Sequence, residues 1–508
     1  MSHYKINSIE GLAAQAMLAR SQGKRVVLAH GVFDLLHMGH IRYLQQAKAL
    51  GDVLLVTLTA DAFVNKGPDR PVFTQNLRAE SLAALAVVDG VAINHAPTAI
   101  DVLNAIQPDV YAKGEEYRDT SLDITGNIIH EQHAVEAHGG RIEFIDDITF
   151  SSSQLLNRYF DVFPSDVQMF LAGFKQRHQT ATLSARMTQK LSELRVLVVG
   201  DAIIDEYITV DPLGVSGKGN TLTVAYKDKE QFAGGSIAVA NHIAGFCAQV
   251  TLLTGLGAAL SHEDFIRQQL SPNITPVFFY EPDGQTLTKT RYVSDDLTRY
   301  FEIYNQAEFT LSHDALSAFS NWISDYAADF DCVVVPDFGN GLITVDVARL
   351  LSEKAQFLAV NTQINSANRG HHVISRYPKA DFVSLNEPEI RLACHDRQSE
   401  LEGLAQGIGH QLGALAVAVT RGKKGAAIAL PDTQDWLSVP ALSKAVVDRI
   451  GAGDAFLSLA SICLAVGLHP EEALFIGSVA AALDVQIVCN REPVSPASLH
   501  KTITTLLK

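Results

Sequence analysis

The chain has 508 residues, 47% hydrophobic and 19% charged, too long for one core and too apolar to be disordered or fibrous, so two to four domains are expected. Its 56 acidic and 40 basic side chains leave a net charge of −16, which offers no electrostatic footprint for nucleic acid or anionic lipid. Five widely spaced cysteines (Cys247, Cys332, Cys394, Cys463, Cys489) without a CxxC pair read as reduced core thiols. The first twenty residues lack the apolar core of a signal peptide, and no apolar run is long enough to span a bilayer. A cytoplasmic location off the membrane is therefore expected.

Short β-rich apolar runs alternate with helical spacing along most of the chain, the pattern of parallel α/β units. Strands are predicted at Val26–Ala29, Val53–Leu58, Val196–Gly200, Val333–Val335 and Ala416–Thr420. From Pro164 to Leu194 the spacing is helical, with Phe170 and Phe174 in phase, and no strand interrupts it. Charge divides the same way: residues 1–160 carry −5, residues 161–195 carry +2 and the remainder carries −13. The expected organisation is an α/β body over 1–160, a helical linker over 161–194 and a second α/β body over 195–508.

In the first body, a strand ending at His30 is followed by Gly31-Val-Phe-Asp-Leu-Leu-His37-Met-Gly-His40, then by helical spacing from Ile41 to Leu50 and a break at Gly51. This βαβ unit places His37 and His40 at a strand-to-helix turn and on one face, where free helix N–H groups attract phosphate. Gly39 lets a phosphate approach the backbone. Two imidazoles there can donate to the charge developing on a transferring phosphoryl group, which is the chemistry of nucleotidyl transfer.

The string GVFDLLHMGHIRYL resembles the HxGH signature of the cytidylyltransferase-like nucleotidyltransferases. The likeness continues through Lys66-Gly-Pro-Asp-Arg-Pro71, Arg78, Lys113-Gly-Glu-Glu-Tyr117 and Phe150-Ser-Ser-Ser-Gln154, as in the nucleotidyltransferase half of bacterial ADP-heptose synthases. The resemblance implies a Rossmann-like fold in which His37, His40 and Lys113 act in catalysis. It also implies that Gly31, Phe33, Asp34, Gly39, Lys66, Arg78 and Ser151, Ser152 and Ser153 bind the nucleotide. In-line attack on an α-phosphate gathers negative charge, so cations, Mg²⁺ and helix N-termini suit the reaction.

In the second body, Val447-Asp-Arg-Ile-Gly451-Ala452-Gly453-Asp454 opens a long apolar helix. Small residues at such a start expose N–H groups as an anion hole, and Asp454 beside it can accept a proton from an attacking hydroxyl. Val198-Val-Gly-Asp-Ala-Ile-Ile-Asp205, Ala233-Gly234-Gly235 through Asn241, Lys289-Thr-Arg291, Asp337-Phe-Gly-Asn-Gly341, Asn386-Glu-Pro-Glu389 and Thr420-Arg-Gly422-Lys-Lys-Gly425 stand in order around it. This set resembles the ribokinase-like (PfkB) sugar kinases, with the heptose 7-phosphate kinase half of the same synthases as the nearest likeness.

By that resemblance the second body has a ribokinase-like α/β fold with a mostly parallel central sheet. Asp454 is the base, and Gly451, Ala452 and Gly453 form the anion hole. Asn386, Glu389, Thr420, Gly422 and Gly425 hold ATP, with Glu389 organising Mg²⁺, and Asp205, Gly234, Gly235, Asn241, Arg291 and Asp337 hold the sugar. The chain departs from the pattern at Asn340, where a lysine is usual, at Asn361-Thr-Gln-Ile-Asn365, where an Asp-Pro pair is usual, and at Arg449-Ile450, where small residues are usual. The kinase-like body also follows the transferase-like one, the reverse of the familiar order.

The expectation is a bifunctional enzyme of activated-sugar synthesis: an ATP-dependent sugar or sugar-phosphate kinase joined to a sugar 1-phosphate nucleotidyltransferase that releases pyrophosphate. ATP is the expected nucleotide, with CTP open for the N-terminal body. The alternative keeps the transferase active and makes the kinase-like body an impaired module that binds nucleotide or sugar. The partners implied are nucleotide and sugar phosphate, with a second copy of the chain as a homodimer.

Overall fold

The structure is a computed structural model that describes residues 5–64, 71–115, 118, 127–145, 163–216, 219–365, 368, 371–443 and 446–507. The chain divides into two compact units, Met1–Ser165 with His500–Lys508, and Asp166–Leu499. Among the described residues no helix is long and apolar enough to cross a membrane.

The first unit runs α1 (Ile9–Ser21), β1 (Val26–Gly31), α2 (Met38–Ala49), β2 (Val53–Thr59), α3 (Gln75–Ala83), β3 (Gly90–Asn94), α4 (Ile100–Ile106), β4 (Val110–Gly114), α5 (Asn127–Glu136), β5 (Arg141–Ile145). Its strands form one sheet in the order β3-β2-β1-β4-β5, every neighbour parallel. Alternate residues supply two cores. Val27, Ala29, Leu54 and Val56 pack with Leu44 of α2 and Leu82 of α3 on one face. Val26, Leu28, Leu55 and Tyr111 pack with Leu12 of α1 and Val102 of α4 on the other. Burial on both faces is why these strands read as unbroken apolar runs. The strand order reverses between β1 and β4, and in open α/β sheets ligands bind outside the carboxyl ends of the strands at such a point.

The second unit begins with α6 (Ser165–Arg177) and α7 (Leu183–Leu191), the segment expected as a linker. Then follow β6 (Arg195–Val199), β7 (Ala202–Val215), β8 (Leu222–Gly235), α8 (Ser236–Ala244), β9 (Gln249–Gly257), α9 (Glu263–Gln269), β10 (Ile274–Glu281), β11 (Leu287–Val293) and β12 (Arg299–Tyr304). The chain continues through α10 (His313–Tyr326), β13 (Cys332–Asp337), α11 (Val345–Lys354), β14 (Leu358–Thr362), β15 (Phe382–Asn386), α12 (Glu387–Ala393), α13 (Leu401–Leu412) and β16 (Ala416–Thr420). It ends with β17 (Ala426–Leu430), β18 (Asp435–Val439), α14 (Ala452–Ala465), α15 (Pro470–Asp484) and α16 (Pro496–Leu507).

Nine of these strands make the central sheet, β10-β9-β6-β13-β14-β15-β16-β17-β18, parallel from β10 to β16 and antiparallel at the β17-β18 edge. The mostly parallel α/β expectation holds here. A second, four-stranded sheet, β12-β11-β7-β8, is not anticipated by the sequence reading. It leaves the central sheet two residues after β6, beside the point where strand order reverses between β6 and β13, and so forms a lid over that switch point.

Helices α6 and α7 pack onto α15 instead of hanging free. The Phe174 and Phe475 rings lie 4.7 Å apart. Arg177 donates to Glu471, at 2.6 Å from Nη2 to Oε1, and Arg186 pairs with Glu472. His178 Nε2 lies 2.7 Å from Glu471 Oε2. The two glutamates occupy the first turn of α15, where the helix dipole favours negative charge.

Candidate active sites

In the first unit, His37 caps α2: its Nδ1 accepts from the Gly39 N–H at 3.1 Å. The His37 and His40 rings lie 4.1 Å apart, and the Phe33 ring meets the edge of His40 at 5.3 Å. Phe33 adopts a left-handed backbone (φ +50) and is buried, which turns the chain from β1 into the helix and sets its ring behind His40. The helix N-terminus and both imidazoles therefore stand together at the end of β1. The phenolic O–H of Tyr43 on α2 donates to the Ala112 carbonyl of β4 at 2.8 Å, fixing the helix across the strand-order reversal.

Lys113 at the end of β4 is buried and forms an ion pair with Glu131 of α5 at 2.7 Å. The Tyr111 hydroxyl donates to the same carboxylate at 3.1 Å. One further residue, His30, escaped the sequence reading. The ring nitrogens of His30 hydrogen-bond Thr57 Oγ1 (2.9 Å) and Thr59 Oγ1 (3.3 Å), which ties β1 to β2 beneath the turn. Burial, reinforced by the Lys113 charge, pushes the imidazole of His30 down to about 3, so it stays neutral. A histidine ending an otherwise apolar strand was the available signal.

Two residues expected to bind nucleotide, Arg78 and Asp34, are engaged by protein partners. Arg78 is fully buried. It donates from Nε to the Phe73 carbonyl, from Nη1 to the Val32 carbonyl, and from Nη2 to the Thr59 carbonyl and Asp61. Four of the five guanidinium N–H groups thus hold the strand ends and loop together, and the charge is met by Asp61. Asp34, also buried, accepts from the backbone N–H groups of Val72 (2.7 Å) and Phe73 (3.2 Å), so it fastens the same loop. Lys66, Ser151, Ser152 and Ser153 lie outside the described residues.

The second unit holds a cavity of about 310 Å³ between the lid and the ends of the central strands. Among the expected residues, Asp205, Gly235, Arg291, Asn386, Glu389, Thr420, Gly451, Gly453 and Asp454 line it. Gly451 takes φ +99 at the entry to α14, and a methyl there would lie 2.3 Å from Asn490 Oδ1 and 2.7 Å from Asp484 Oδ2, so only glycine fits. The following N–H groups, from Ala452 onward, belong to the first turn of α14 and lack helical acceptors. Gly453 has open space beside it, room for a phosphoryl group.

Asp454 is buried and accepts from Gln363 Nε2 at 3.0 Å. Burial, followed by the nearby charge of Asp205, pushes its carboxyl up to about 7. A carboxylate poised near neutrality suits a general base. Burial likewise pushes Asp484, behind Gly451, up to about 8.

From the lid, Arg291 pairs with Asp205, and also with Glu302 at 3.2 Å. A Cβ on Gly234 would lie 2.0 Å from Asp205 Oδ2, so this glycine makes room for that carboxylate without lining the cavity. Lys289, in register with Asp205 on the paired strand, enters the cavity wall against the rings of Tyr304 (5.2 Å) and Phe338 (5.7 Å). On the opposite wall Asn386 and Glu389 form a capping box. The Asn386 N–H donates to Glu389 Oε2 at 2.7 Å, and the Glu389 N–H donates to Asn386 Oδ1 at 2.9 Å. Burial raises the Glu389 carboxyl to about 7. Its place on the cavity wall suits Mg²⁺, an ion usually held by one or two carboxylates together with phosphates and water.

Four further expected residues, Asn241, Asp337, Gly422 and Gly425, do not line this cavity. Asn241 donates to the Gln269 carbonyl at 3.0 Å and accepts from Ser271 N–H at 2.9 Å. Asp337 is fully buried; it accepts from the Tyr377 hydroxyl (2.8 Å) and the Gly339 N–H (3.1 Å), with His372 Nε2 at 2.9 Å. Gly422 and Gly425 sit in the tight turn between β16 and β17, off the cavity; a Cβ on Gly425 would strike the Val439 carbonyl at 2.0 Å. The departures from pattern have definite places. Gln363 and Asn361 line the cavity, Asn340 is buried away from it and bonded to Asn365, and Arg449 is an exposed residue at its edge.

Among the described residues, His178, His469 and Glu471 bring ligand-type atoms within 4.8 Å of one another. They do not suit a metal. His469 Nδ1 accepts the Glu471 N–H at 3.1 Å, which leaves the proton of a neutral ring on Nε2, and Arg177 and His178 hold both Glu471 oxygens.

Residues 193–494 match the pfkB family carbohydrate kinases, and residues 28–158 match the cytidylyltransferase-like family. A bifunctional protein HldE from Syntrophotalea carbinolica is 37% identical over 160 residues, 31% of each chain. Another from Geotalea uraniireducens is 40% identical over 146 residues, 28% of each. The chain thus spans about a third or less of the length of these curated relatives. A solved phosphofructokinase-2 from Escherichia coli in complex with substrates and products is 15% identical and aligns over 62% of this chain and 100% of its own, with a TM-score of 0.51.

Proposed function

The chain belongs to the pfkB family of carbohydrate kinases, and on that footing we propose that it is a bifunctional transferase of nucleotide-activated sugar synthesis, in the manner of an ADP-heptose synthase. The second unit phosphorylates a sugar or sugar phosphate with ATP. The acceptor hydroxyl attacks the γ-phosphorus, the bond to the β–γ bridging oxygen breaks, ADP leaves, and the hydroxyl proton passes to Asp454. The N–H groups of Gly451 to Gly453 hold the transferring group, Thr420 and Asn386 border the nucleotide, and Asp205 with Arg291 borders the acceptor. Bound Mg²⁺ would supply charge neutralisation of the phosphates, with Glu389 ordering it. The observation that carries this reading is a buried carboxylate in the first turn of a helix, on the wall of a lidded cavity with open space beside Gly453.

The first unit couples a sugar 1-phosphate to a nucleoside monophosphate. A phosphate oxygen attacks the α-phosphorus and pyrophosphate leaves, with His37 and His40 donating to the developing charge. Lys113, at the end of the neighbouring strand β4, adds positive charge, partly offset by Glu131.

The test uses the full chain with Mg²⁺, ATP or CTP, and a panel of hexose and heptose phosphates, following ADP and pyrophosphate. Turnover lost in Asp454→Asn (ADP) and in His40→Ala (pyrophosphate) supports the proposal. Wild-type rates in both variants sink it. ATP binding without consumption in the second unit leaves the impaired-kinase alternative.

A further inference from the structure

We propose that Gln363 is a positioning residue for the phosphoryl-transfer base, holding the Asp454 carboxylate toward the cavity and keeping it ionisable there. The inference rests on the reading of Asp454 as that base.

Gln363 follows the end of β14 within the segment that replaces the usual Asp-Pro pair. Its backbone is tied on both sides: its N–H donates to the Asp337 carbonyl at 2.9 Å, and its own carbonyl accepts from Asn368 Nδ2 at 3.2 Å. Next to it the Ile364 N–H donates to Glu389 Oε1 at 3.4 Å. The carboxamide is therefore presented from an anchored loop. Among the described residues it supplies the one side-chain hydrogen bond to the Asp454 carboxylate, 3.0 Å to Oδ1.

The surroundings explain why such a donor matters. Asp454 is buried, and three elements face it with negative charge: Asp205 from β7, Glu389 from α12 and Asp484 from α15. One cation, Lys289 from β11, works in the opposite direction, while Arg291 is paired with Asp205. Burial and like charges favour the protonated carboxyl, which cannot take a proton from an attacking hydroxyl; a donated hydrogen bond favours the anion. A neutral amide gives that bias without adding a cation that would compete for the nucleotide phosphates.

The experiment compares wild type, Gln363→Met, Gln363→Glu and Asp454→Asn, the last also combined with each Gln363 change. One readout needs no turnover. The difference in Tm between each parent and its Asp454→Asn partner is followed from pH 5 to 9 through tryptophan fluorescence. Because the folded-state pKa is raised, that difference falls as pH rises and levels off above it. Levelling is expected near pH 7 in the wild type, about one pH unit higher in Gln363→Met and higher still in Gln363→Glu. The acidic limb of kcat should move with it, a loss of about fivefold at pH 7 that recovers by pH 9, while KM for ATP stays within about twofold. Levelling at the same pH in all three parents, or a loss of kcat independent of pH, overturns the inference. A wild type that turns over no acceptor defeats the kinase reading, while the Tm differences still decide whether Gln363 governs Asp454.

Discussion

Replacing Arg78 with methionine separates a framework role from a phosphate-binding one. The side chain is wholly buried and its N–H groups satisfy three backbone carbonyls and the partly exposed Asp61. Methionine keeps much of the volume but strands those three acceptors, and each buried acceptor left unpaired costs about 1–3 kcal/mol. With some relaxation and water entry, the expected loss is about 3–5 kcal/mol, the scale of breaking a buried charged network. For a unit of this size that lowers Tm by roughly 10 °C. Both tryptophans, Trp322 and Trp436, lie in the second unit, so their fluorescence should report an unchanged transition while far-UV circular dichroism gains an earlier one. Arg78→Lys should recover little, since an ammonium cannot reach all four acceptors. An unshifted dichroism profile together with a raised KM for nucleotide would show that the guanidinium reaches phosphates, refuting the assignment.

Three other outcomes follow from particular contacts. Gly234→Ala places a methyl 2.0 Å from Asp205 Oδ2 and should displace that carboxylate from Arg291, cutting kcat/KM for the acceptor on the order of 100-fold while sparing ATP binding measured by calorimetry. Asp484 has a folded-state pKa raised to about 8, above its unfolded value, so its charging costs stability as pH climbs between about 4 and 8. Asp484→Asn should therefore gain Tm relative to wild type as pH rises from 5 to 9, and a pH-independent difference would contradict this. Glu471→Gln removes the carboxylate that Arg177 and His178 share; a loss of about 1–3 kcal/mol in tryptophan-monitored urea unfolding is expected, and no change would mean that α6 is held by Phe174 and Phe475 alone.

The parallel sheets were legible because their strands are buried on both faces and punctuated by glycine: β1, β2, β6, β13 and β16 stand where apolar runs predicted them. The lid was not. Strand β7 runs from buried Ile203 and Ile204 out to exposed Leu213 and Val215, β8 returns through exposed polar residues to buried Ala233, and β11 joins β7 from more than 70 residues away, a pairing no local pattern announces. The GAGD loop was equally readable, since a left-handed glycine before a helix has a local cause.

Composition, spacing and motif by themselves determined two α/β bodies, the turn bearing His37 and His40, and a helix opening at a glycine-rich turn beside Asp454. Tertiary structure alone decided which polar side chains face a cavity. Asn241, Asp337, Arg78 and Asp34 look like ligands along the chain, yet partners such as Gln269, Tyr377, Thr59 and Val72 claim their hydrogen-bonding groups, while Gln363 and Lys289 gain a cavity wall. A buried polar group must be satisfied by something, and whether that is the protein or a ligand depends on residues the sequence places far apart.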